Sequence, residues 1–426
     1  MINSRTGCEY ASWRAVDQVV LAARTPPALP TDDAPEARPD SVRQMTELEV
    51  LLEPSGRALL AELADVDDLG SLRLATALRE RYAPDLVATA LTQAELRRAA
   101  RTKFARADEM FFTRGGLEQA SAEAVSRHRA RRFEGRPRIA DLCTGIGGDL
   151  IALAEGREVV AVDLDPVHLR MAVLNAQAYG VADGVRPVRA DVRTVDLAGV
   201  DGAFVDPARR TSTRRLRTGD SEPPLAWCLA LADAVPAVAV KLAPGLDRDA
   251  VPSGWELEFV AERRELKEAA AWSPALATTT RRATVLPGGD TLVPDGGGPV
   301  PVEAPGEFLL DPNPAVTRAG LVEELARATG TWKIDDQIAF LCANTPVHTP
   351  FARTLRVLES QPWQEKLLAA RLRALDIGAV DIRRRGLAGN VELLQHRLKL
   401  TGKGRKATLV MTRYQDRPWS LICVDA

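Results

Sequence analysis

A glycine-rich turn behind an aspartate is the first stretch of the chain that could do chemistry. Asp141 ends an apolar run and precedes Gly145, Gly147 and Gly148 in DLCTGIGGDL. Glycines lack the Cβ that would keep a ligand away from the backbone. A carboxylate in such a turn suits a ligand with a cationic amino-acid end rather than a pyrophosphate. The Gly-Lys-Ser/Thr of a nucleotide-phosphate loop and the G-x-G-x-x-G of a dinucleotide turn are both missing.

Two further aspartates end the next two strand-like runs. Asp163 closes VVAVDL, where a carboxylate can accept hydrogen bonds from both hydroxyls of a ribose. Asp191 lies in RADV, where it could accept one from an adenine amino group. Each signal has an ordinary alternative, such as a plain turn or the helix cap expected of Asp165. Together, and in this order, they predict a site for an adenosine-type cofactor with an amino-acid tail.

The elements that must position these residues predict an α/β fold. Strand-like and helix-like segments alternate from Arg138 to about Pro287, which indicates a mostly parallel sheet covered by helices. A disordered lead-in (1–43) and a small helical domain (44–135) come before it. The helical segments SGRALLAELADV, SLRLATALRERYA and TQAELRRAARTKF each start with a Ser or Thr that could serve as the N-cap. The cofactor-binding domain is expected over 136–345 and a compact α/β module over 350–426.

Charge is distributed unevenly along the 426 residues. From Phe351 onward the chain has 15 lysines and arginines against 7 aspartates and glutamates, whereas the remainder has 41 against 51. The C-terminal end could therefore meet a polyanion, although a solvated mixed-charge surface explains the same numbers. No apolar run approaches the roughly 20 residues that span a bilayer. Five scattered cysteines and four scattered histidines predict reduced thiols, a cytoplasmic location and no metal site.

Several stretches carry a resemblance to a known family. They are FFTRGGLEQAS, DLCTGIGGDL, VDPARR, KLAPGLD, ERRELKEAAAW and DPNPAVTRAG. From about Met45 onward the chain resembles bacterial class I S-adenosylmethionine-dependent methyltransferases with a C-terminal THUMP-like domain. The resemblance implies a Rossmann-like methyltransferase domain, S-adenosyl-L-methionine as the cofactor and a C-terminal module related to RNA-binding domains. It also implies that the donor is bound at Asp141, Gly145, Gly147, Asp163 and Asp191.

The stretch FVDPARR would then be the catalytic corner. In class I methyltransferases the end of the fourth strand faces the transferable methyl, and amino-methylating members place Asn/Asp-Pro-Pro-Tyr/Phe there. This chain keeps the acceptor, Asp206 with Pro207, but has Ala208 and Arg209 where those members have a second proline and an aromatic ring. The aromatic platform for simple adenine or cytosine methylation is therefore lost. Some tRNA guanine methyltransferases have a partly similar Asp-Pro-Pro-Arg.

Basic residues near this corner and in the last domain are the candidates for substrate contacts. Arg209 and Arg210 could hold a phosphate or stack on a base, or belong to a solvated loop. Lys241 could contact substrate or be a surface lysine beside a turn. The best phosphate-contact candidates in the C-terminal module include Arg384, Arg385, Lys403 and Arg405. Asp311 and Asn313 are expected to be structural, with Asn313 as a helix cap before Pro314.

The expected activity is methyl transfer to a nitrogen of a base in structured RNA, such as tRNA or rRNA. Cys143 and Cys228 are expected to be packed residues, which argues against a thiolate mechanism. The alternatives are a small-molecule or protein methyltransferase, or a non-catalytic protein that binds the donor or RNA. The sequence leaves open which RNA and which atom are modified, and the oligomeric state.

Overall fold

The computed structural model describes residues 39–208, 210–211, 214–215, 221–400 and 402–426. The predicted lead-in, 1–43, lies mostly outside these residues. Its last five residues are nevertheless part of the first helix, α1, which begins at Pro39. This helix buries Leu48 and Leu51 in the same apolar cluster as the helices that follow.

Helices form the part of the described chain that precedes the sheet. They are α1 (Pro39–Leu52), α2 (Pro54–Leu63), α3 (Leu72–Arg79), α4 (Pro84–Ala100), α5 (Arg114–Gln119) and α6 (Glu123–Arg131). The predicted Ser/Thr caps are wrong at Ser55 and Thr92, because α2 and α4 start at Pro54 and Pro84. Proline is favoured at the first helical position, where its missing N–H costs nothing. Ser71 occupies the N-cap of α3 without a side-chain cap bond.

The central sheet has nine strands in the order β11-β10-β8-β9-β7-β4-β1-β2-β3. The strands are β1 (Arg138–Leu142), β2 (Glu158–Asp163), β3 (Val185–Arg189), β4 (Gly202–Val205), β7 (Val238–Leu242), β8 (Glu256–Glu262), β9 (Glu265–Trp272), β10 (Arg281–Leu286) and β11 (Asp290–Leu292). The short β5 (Arg210–Thr211) and β6 (Arg214–Arg215) pair separately. Helices α7 (Leu150–Leu153), α8 (Pro166–Ala178) and α9 (Leu225–Ala230) connect the strands.

Parallel pairing brings the carboxyl ends of the site-bearing strands to one edge. Strands β3, β2, β1, β4 and β7 are mutually parallel, and their buried Val, Ala and Leu side chains form cores on both faces. The predicted mostly parallel α/β sheet is thus confirmed. Strand β9 runs antiparallel between β7 and β8. Its sequence, ELKEAAAW, is rich in helix-favouring residues, and tertiary packing overrides that local preference.

A second, seven-stranded sheet carries the C-terminal part of the chain, in the order β13-β14-β12-β15-β18-β17-β16. Its strands are β12 (Phe308–Pro312), β13 (Trp332–Lys333), β14 (Leu341–Ala343), β15 (Ala352–Pro362), β16 (Ile377–Arg384), β17 (Arg405–Tyr414) and β18 (Arg417–Asp425), with helices α10 (Pro314–Ala319), α11 (Val322–Thr329), α12 (Glu365–Ala374) and α13 (Val391–Leu398). The predicted strand, helix, strand, helix, strand, strand order is found in β15 to β18.

The domain boundary predicted between residues 345 and 350 falls inside this second sheet. Strand β12 pairs with β15 across that boundary, and Leu309 and Leu355 share one buried cluster. Helix α10, which follows β12, packs Ala315 and Val316 into the core of the central sheet. The second sheet therefore takes in residues on both sides of that boundary, and α10 packs it against the central sheet.

The described ranges hold neither a membrane-spanning helix nor a metal-binding cluster. No helix there is long and apolar enough to cross a bilayer. Nor do three or more His, Cys, Asp or Glu side chains come together there in a group that could hold a metal ion.

Candidate functional site: a donor turn and an Asp–Lys corner

The glycine-rich turn after β1 is held by the aspartate that ends β2. The Asp163 Oδ2 accepts a hydrogen bond of 2.7 Å from the Gly145 N–H, and its Oδ1 accepts one of 2.8 Å from the Asp165 N–H. Gly145 and Gly147 have φ of +57° and +84°. A Cβ on Gly147 would come within 2.9 Å of the Ala172 backbone, so only glycine fits against α8. A Cβ on Gly145 would meet open space, which is the ligand side of the turn.

Asp141 is a buried carboxylate without a partner. Its side chain is only 1% exposed, and neither carboxylate oxygen has a hydrogen-bond partner. Burial raises its pKa to about 7, and the nearby Asp206 and Asp163 charges act in the same direction. A buried unpaired carboxylate is costly. A cationic group bound in the turn would remove that cost.

Helix α8 and the segment before β1 enclose this turn. Asp165 caps α8 as predicted, because its side chain accepts hydrogen bonds from the Val167 and His168 N–H groups. Asn175, fully buried on α8, donates to the Ile146 carbonyl at 2.8 Å and to the Phe111 carbonyl at 3.0 Å.

The segment FFTRGGLEQAS packs over the turn. Phe111 and Phe112 are buried in one cluster with Ile146. Thr113 caps α5 and lies 3.1 Å from the His168 Nε2.

Two surface residues complete the cofactor edge. Asp191 follows β3, but its carboxylate engages Arg193, whose Nη2 donates at 2.6 Å and lowers the Asp191 pKa. An adenine amino group would share that carboxylate with Arg193. Leu164, next to Asp163, is 49% exposed and was missed by sequence reasoning. An exposed leucine between two aspartates at a ligand edge was the available signal, because an apolar side chain there can pack on a base.

The catalytic corner contains an ion pair. Val205 of β4 is in register with Val240 of β7, so the next residues, Asp206 and Lys241, lie side by side. The Lys241 Nζ donates to the Asp206 Oδ2 at 2.7 Å and approaches the Gln119 carbonyl at 3.4 Å. The lysine side chain is 7% exposed and the aspartate 28%. Lys241 was expected to contact substrate or lie on the surface; its buried ammonium instead faces Asp206.

The arginines of the corner are only partly described. Arg209 lies outside the described residues, and Arg210 is described only by its backbone in β5. Their predicted substrate contacts remain predictions. The cysteines near the corner are poor nucleophiles. Burial raises the pKa of Cys228 to about 12, and the pKa of Cys143 is also strongly raised, first by burial and then by the Asp163 charge.

The basic candidates of the C-terminal module lie at opposite ends of β16. Arg405 pairs with Ile377 at the start of this strand, and Arg384 pairs with Met411 at its end, seven residues or about 23 Å away. Lys403 and Arg405 are exposed at the first end, and Arg384 is exposed at the second.

Arg385 is not the free phosphate ligand that the sequence indicated. It donates to the Asp311 Oδ1 at 2.9 Å and stacks 4.8 Å from the Phe340 ring centroid. These contacts and partial burial occupy the Arg385 guanidinium group. They arise because the second sheet curls the end of β16 onto the end of β12. Asp311 and Asn313 are structural, and Asn313 caps α10 as predicted.

Similar proteins agree with this geometry. An uncharacterized S-adenosylmethionine-dependent methyltransferase of Mycobacterium tuberculosis, known from strains CDC 1551 and H37Rv, is 37% identical over 358 residues, which are 79% of this chain and 95% of the relative. The chain belongs to this methyltransferase family. A Porphyromonas gingivalis W83 protein, provisionally named a methyltransferase, shares the fold with a TM-score of 0.69 at 22% identity, covering 89% of this chain and 98% of its own.

Three family models match successive parts of the enzyme. Residues 44–100 match a domain of unknown function, residues 136–222 an RNA cap guanine-N2 methyltransferase model, and residues 352–424 a THUMP domain-like model. The enzyme uses S-adenosylmethionine as its methyl donor, and the site residues fit this group. The orphaned Asp141 carboxylate would hold the donor's ammonium, Asp163 would hold its ribose hydroxyls, and Gly145 would leave room for its approach.

Replacing Asp163 should weaken donor binding strongly. We expect Asp163→Ala to lower donor affinity by about 2–4 kcal/mol, through lost charge-assisted hydrogen bonds and a loosened turn. The Gly145 N–H would also lose its acceptor. Isothermal titration with S-adenosylmethionine measures the change, with the exposed Asp183→Ala as the control. An unchanged donor affinity, with a native circular dichroism spectrum, would place Asp163 outside the site.

Donor affinity should also depend on pH through Asp141. With a pKa raised to about 7, Asp141 is largely protonated at pH 6, and binding the cationic donor must displace that proton. We expect about tenfold weaker binding at pH 6 than at pH 7.5, with a decline again near the donor's own amino pKa of about 8. The sign for stability is opposite. The unliganded protein should lose stability as pH rises from about 4 to about 7, because the ionised form is disfavoured when folded.

The variant Asp141→Asn provides the control for this titration. It should remove most of the pH dependence and leave only the part that comes from Asp163, whose pKa burial also raises. Calorimetry between pH 5.5 and 7.5 compares the two proteins. If wild type and Asp141→Asn show the same pH profile, the group that titrates is not Asp141.

Proposed function

We propose that the enzyme methylates a nitrogen of a base in structured RNA, with tRNA and rRNA as the substrate classes. The observation that carries this proposal is the Asp206–Lys241 ion pair at the end of β4, next to the donor turn. It places a lysine-paired carboxylate acceptor at the edge where the parallel strands end. The RNA cap guanine-N2 methyltransferase model over 136–222 and the THUMP domain-like model over 352–424 support RNA as the substrate.

The corner suits direct transfer to nitrogen. Bound S-adenosylmethionine supplies an electrophilic methyl group. Asp206 accepts a hydrogen bond from the N–H of the target nitrogen and orients its lone pair. As the methyl leaves the donor sulfur, which becomes a neutral thioether, and bonds to nitrogen, that nitrogen gains positive charge; the same carboxylate stabilises it and accepts the proton that the nitrogen then releases. Lys241 gives Asp206 a counter-charge and fixes its orientation from the protein side, while the aspartate side chain stays 28% exposed and can meet substrate.

Substrate placement has to come from groups other than an aromatic ring after Pro207. Arg209 could stack on a base or hold a phosphate, and Arg210 could add a second contact. The exposed Arg384, Lys403 and Arg405 can contact more distant phosphates of a large RNA. A small-molecule methyl acceptor could not contact basic residues that lie this far apart. The cytoplasmic location predicted from the cysteines fits such a substrate.

The test starts from modified nucleosides. Total tRNA and rRNA from a deletion strain and its parent are digested and compared by mass spectrometry. We expect one methylated nucleoside to be lost from the deletion strain and restored by the wild-type gene but not by Asp206→Ala. Unmethylated RNA from the deletion strain then serves as substrate for the purified enzyme. Identical nucleoside profiles would favour a small-molecule or protein substrate, and failure to bind the donor would favour a non-catalytic protein.

A further inference from the structure

An arginine cluster joins the C-terminal module to the catalytic sheet. Asp311, 4% exposed, accepts from Arg264 at 3.0 Å and from Arg385 at 2.9 Å, and the Arg383 Nε lies 3.7 Å away. Arg353 is in register with Asp311 on the neighbouring strand. We refer to these residues as the Asp311 cluster: Asp311 with Arg264, Arg353, Arg383 and Arg385.

Positive charge exceeds negative charge in the Asp311 cluster. Four guanidinium groups face Asp311 and one further carboxylate, Asp425, which pairs with Arg353. Burial lowers the pKa of Arg264, and the charges of Arg383, Arg353 and Arg385 lower it further, although Asp311 opposes them. The Arg264 and Arg383 side chains remain 39% and 48% exposed. Their mutual repulsion would be relieved by an anion bound between them.

Strand topology places the Asp311 cluster at the mouth of the catalytic edge. Arg264 lies in the turn between β8 and β9, and β8 runs parallel to β7 because both are antiparallel to β9. Along the strand direction, this hairpin extends about four residues, or roughly 13 Å, beyond the level of Asp206. Across the sheet, β8 is three strands away from β4, which carries Asp206, or roughly 14 Å. The two displacements together place the Asp311 cluster about 20 Å from Asp206, beyond the carboxyl ends of the parallel strands.

The turn is fixed in this position by the C-terminal module. The Arg263 carbonyl accepts a hydrogen bond of 2.6 Å from the Asn313 Nδ2, and the Arg263 backbone has a left-handed φ of +54°. Arg383, in β16, and Arg385, just after its end, are two residues apart, and both reach Asp311. Arg385 donates a hydrogen bond to Asp311, whereas the guanidinium group of Arg383 stays half-exposed.

We propose that the Asp311 cluster is a phosphate-binding site for the RNA substrate, with Arg264 and Arg383 as the contacting residues. This inference rests on the proposed function and names the part of the surface that receives the RNA backbone. Guanidinium forks bind phosphate bidentately. Asp311 pre-organises these forks and neutralises only part of their charge. A phosphate held there belongs to a nucleotide several positions from the methylated base, so the site sets the register of the RNA.

The experiment measures binding of total bacterial tRNA to the full chain by fluorescence anisotropy at several salt concentrations. The variants are Arg264→Ala and Arg383→Ala, and the control is Arg373→Ala, an exposed arginine on α12 of the same module. We expect each cluster variant to weaken tRNA binding about tenfold and to lower the slope of log K against log salt by about 0.7–0.9. Arg373→Ala should change affinity less than twofold, and donor affinity should be unchanged in all three.

The outcomes separate this inference from the proposed function. If wild type binds tRNA but the cluster variants behave like Arg373→Ala, the phosphate site is wrong and RNA methylation still stands. If the nucleoside comparison shows no lost modification and wild type binds no tRNA, the proposed function itself fails. Arg383→Lys tests whether bidentate guanidinium contacts or positive charge alone bind the phosphate. We expect it to recover less than half of the tRNA-binding free energy that Arg383→Ala loses. Full recovery would contradict bidentate phosphate binding.

Discussion

Asp206→Ala should lower the rate of methyl transfer by about 10²–10³-fold while tRNA affinity stays within threefold of wild type. The carboxylate interacts most strongly with the target nitrogen as that nitrogen gains charge, so its loss affects the transition state more than the bound substrate. Asp206→Asn keeps an acceptor oxygen and should lose only about tenfold in rate. Both variants leave the Asp206 N–H bonded to the Leu142 carbonyl.

The measurement is single-turnover methylation of the RNA identified by nucleoside analysis, with labelled donor and excess enzyme. The control is Asp201→Asn, at the opposite end of β4, where the aspartate accepts from the Arg138 N–H and lies far from the donor turn. Lys241→Met should lower the rate as well, because Asp206 would lose the ion pair that fixes its orientation. A wild-type rate for Asp206→Ala would mean that the chemistry lies elsewhere.

The residues proposed for the donor site lie close together, as the sequence predicts, because what positions them is local. Asp141 and Asp163 each close an apolar strand, and parallel strands bring their carboxyl ends to the same edge whatever the details of packing. The Asp206–Lys241 pair was not predicted, although the sequence held the signal. Asp206 and Lys241 each follow an apolar run directly, and if those two strands are neighbours in register, the side chains must meet. Strand order was the missing information.

Features that depend on the curvature of the second sheet were beyond sequence reasoning. Arg383, Arg384 and Arg385 look alike in the stretch IRRRG, but only Arg384 points away from Asp311. That difference exists because the end of β16 meets the end of β12, which is about 73 residues earlier in the chain.

The burial of charged side chains is a second feature that the local sequence pattern predicts wrongly. Glu256 and Glu258 alternate with apolar residues in WELEF, which is typical of a strand with one face in water. Both are fully buried instead. Helix α6 covers that face, and its Arg132 donates to Glu256 while His128 lies 2.8 Å from Glu258. The basic face of α6 and the acidic face of β8 are complementary, but only the tertiary structure shows that they meet.

Arg129 is the most consequential of these buried charges for stability. Its guanidinium is 2% exposed and bonds both Asp149, at the start of α7, and Glu268 of β9. It also lies 4.5 Å from the ring centroid of Phe204 on β4. Ser121, in the segment before β1, adds a hydrogen bond of 3.3 Å to Glu268. One side chain therefore joins the donor turn to three other elements around the site.

We expect Arg129→Met to lower the free energy of unfolding by about 3–5 kcal/mol, because two carboxylates would be left buried without a counter-charge. Denaturant unfolding followed by tryptophan fluorescence measures the change, since Trp272 packs beside this helix. The control is Arg131→Met, an exposed position on the same helix, for which we expect less than about 0.5 kcal/mol. The double variant Arg129→Met/Glu268→Gln should recover part of the loss, because one of the two unpaired charges is removed.

Measuring S-adenosylmethionine affinity shows whether the Arg129 network only stabilises the fold or also shapes the donor turn. Asp149 directly follows Gly147 and Gly148, so an unpaired Asp149 should pull the donor turn toward water and weaken S-adenosylmethionine binding along with stability. The double variant leaves Asp149 unpaired and should therefore regain stability without regaining donor affinity. If donor affinity instead returns together with stability, Arg129 acts only on the fold. If Arg129→Met is as stable as Arg131→Met, the buried network does not hold the turn, and the rigidity of the donor site must come from the Asp163–Gly145 and Asn175–Ile146 hydrogen bonds alone.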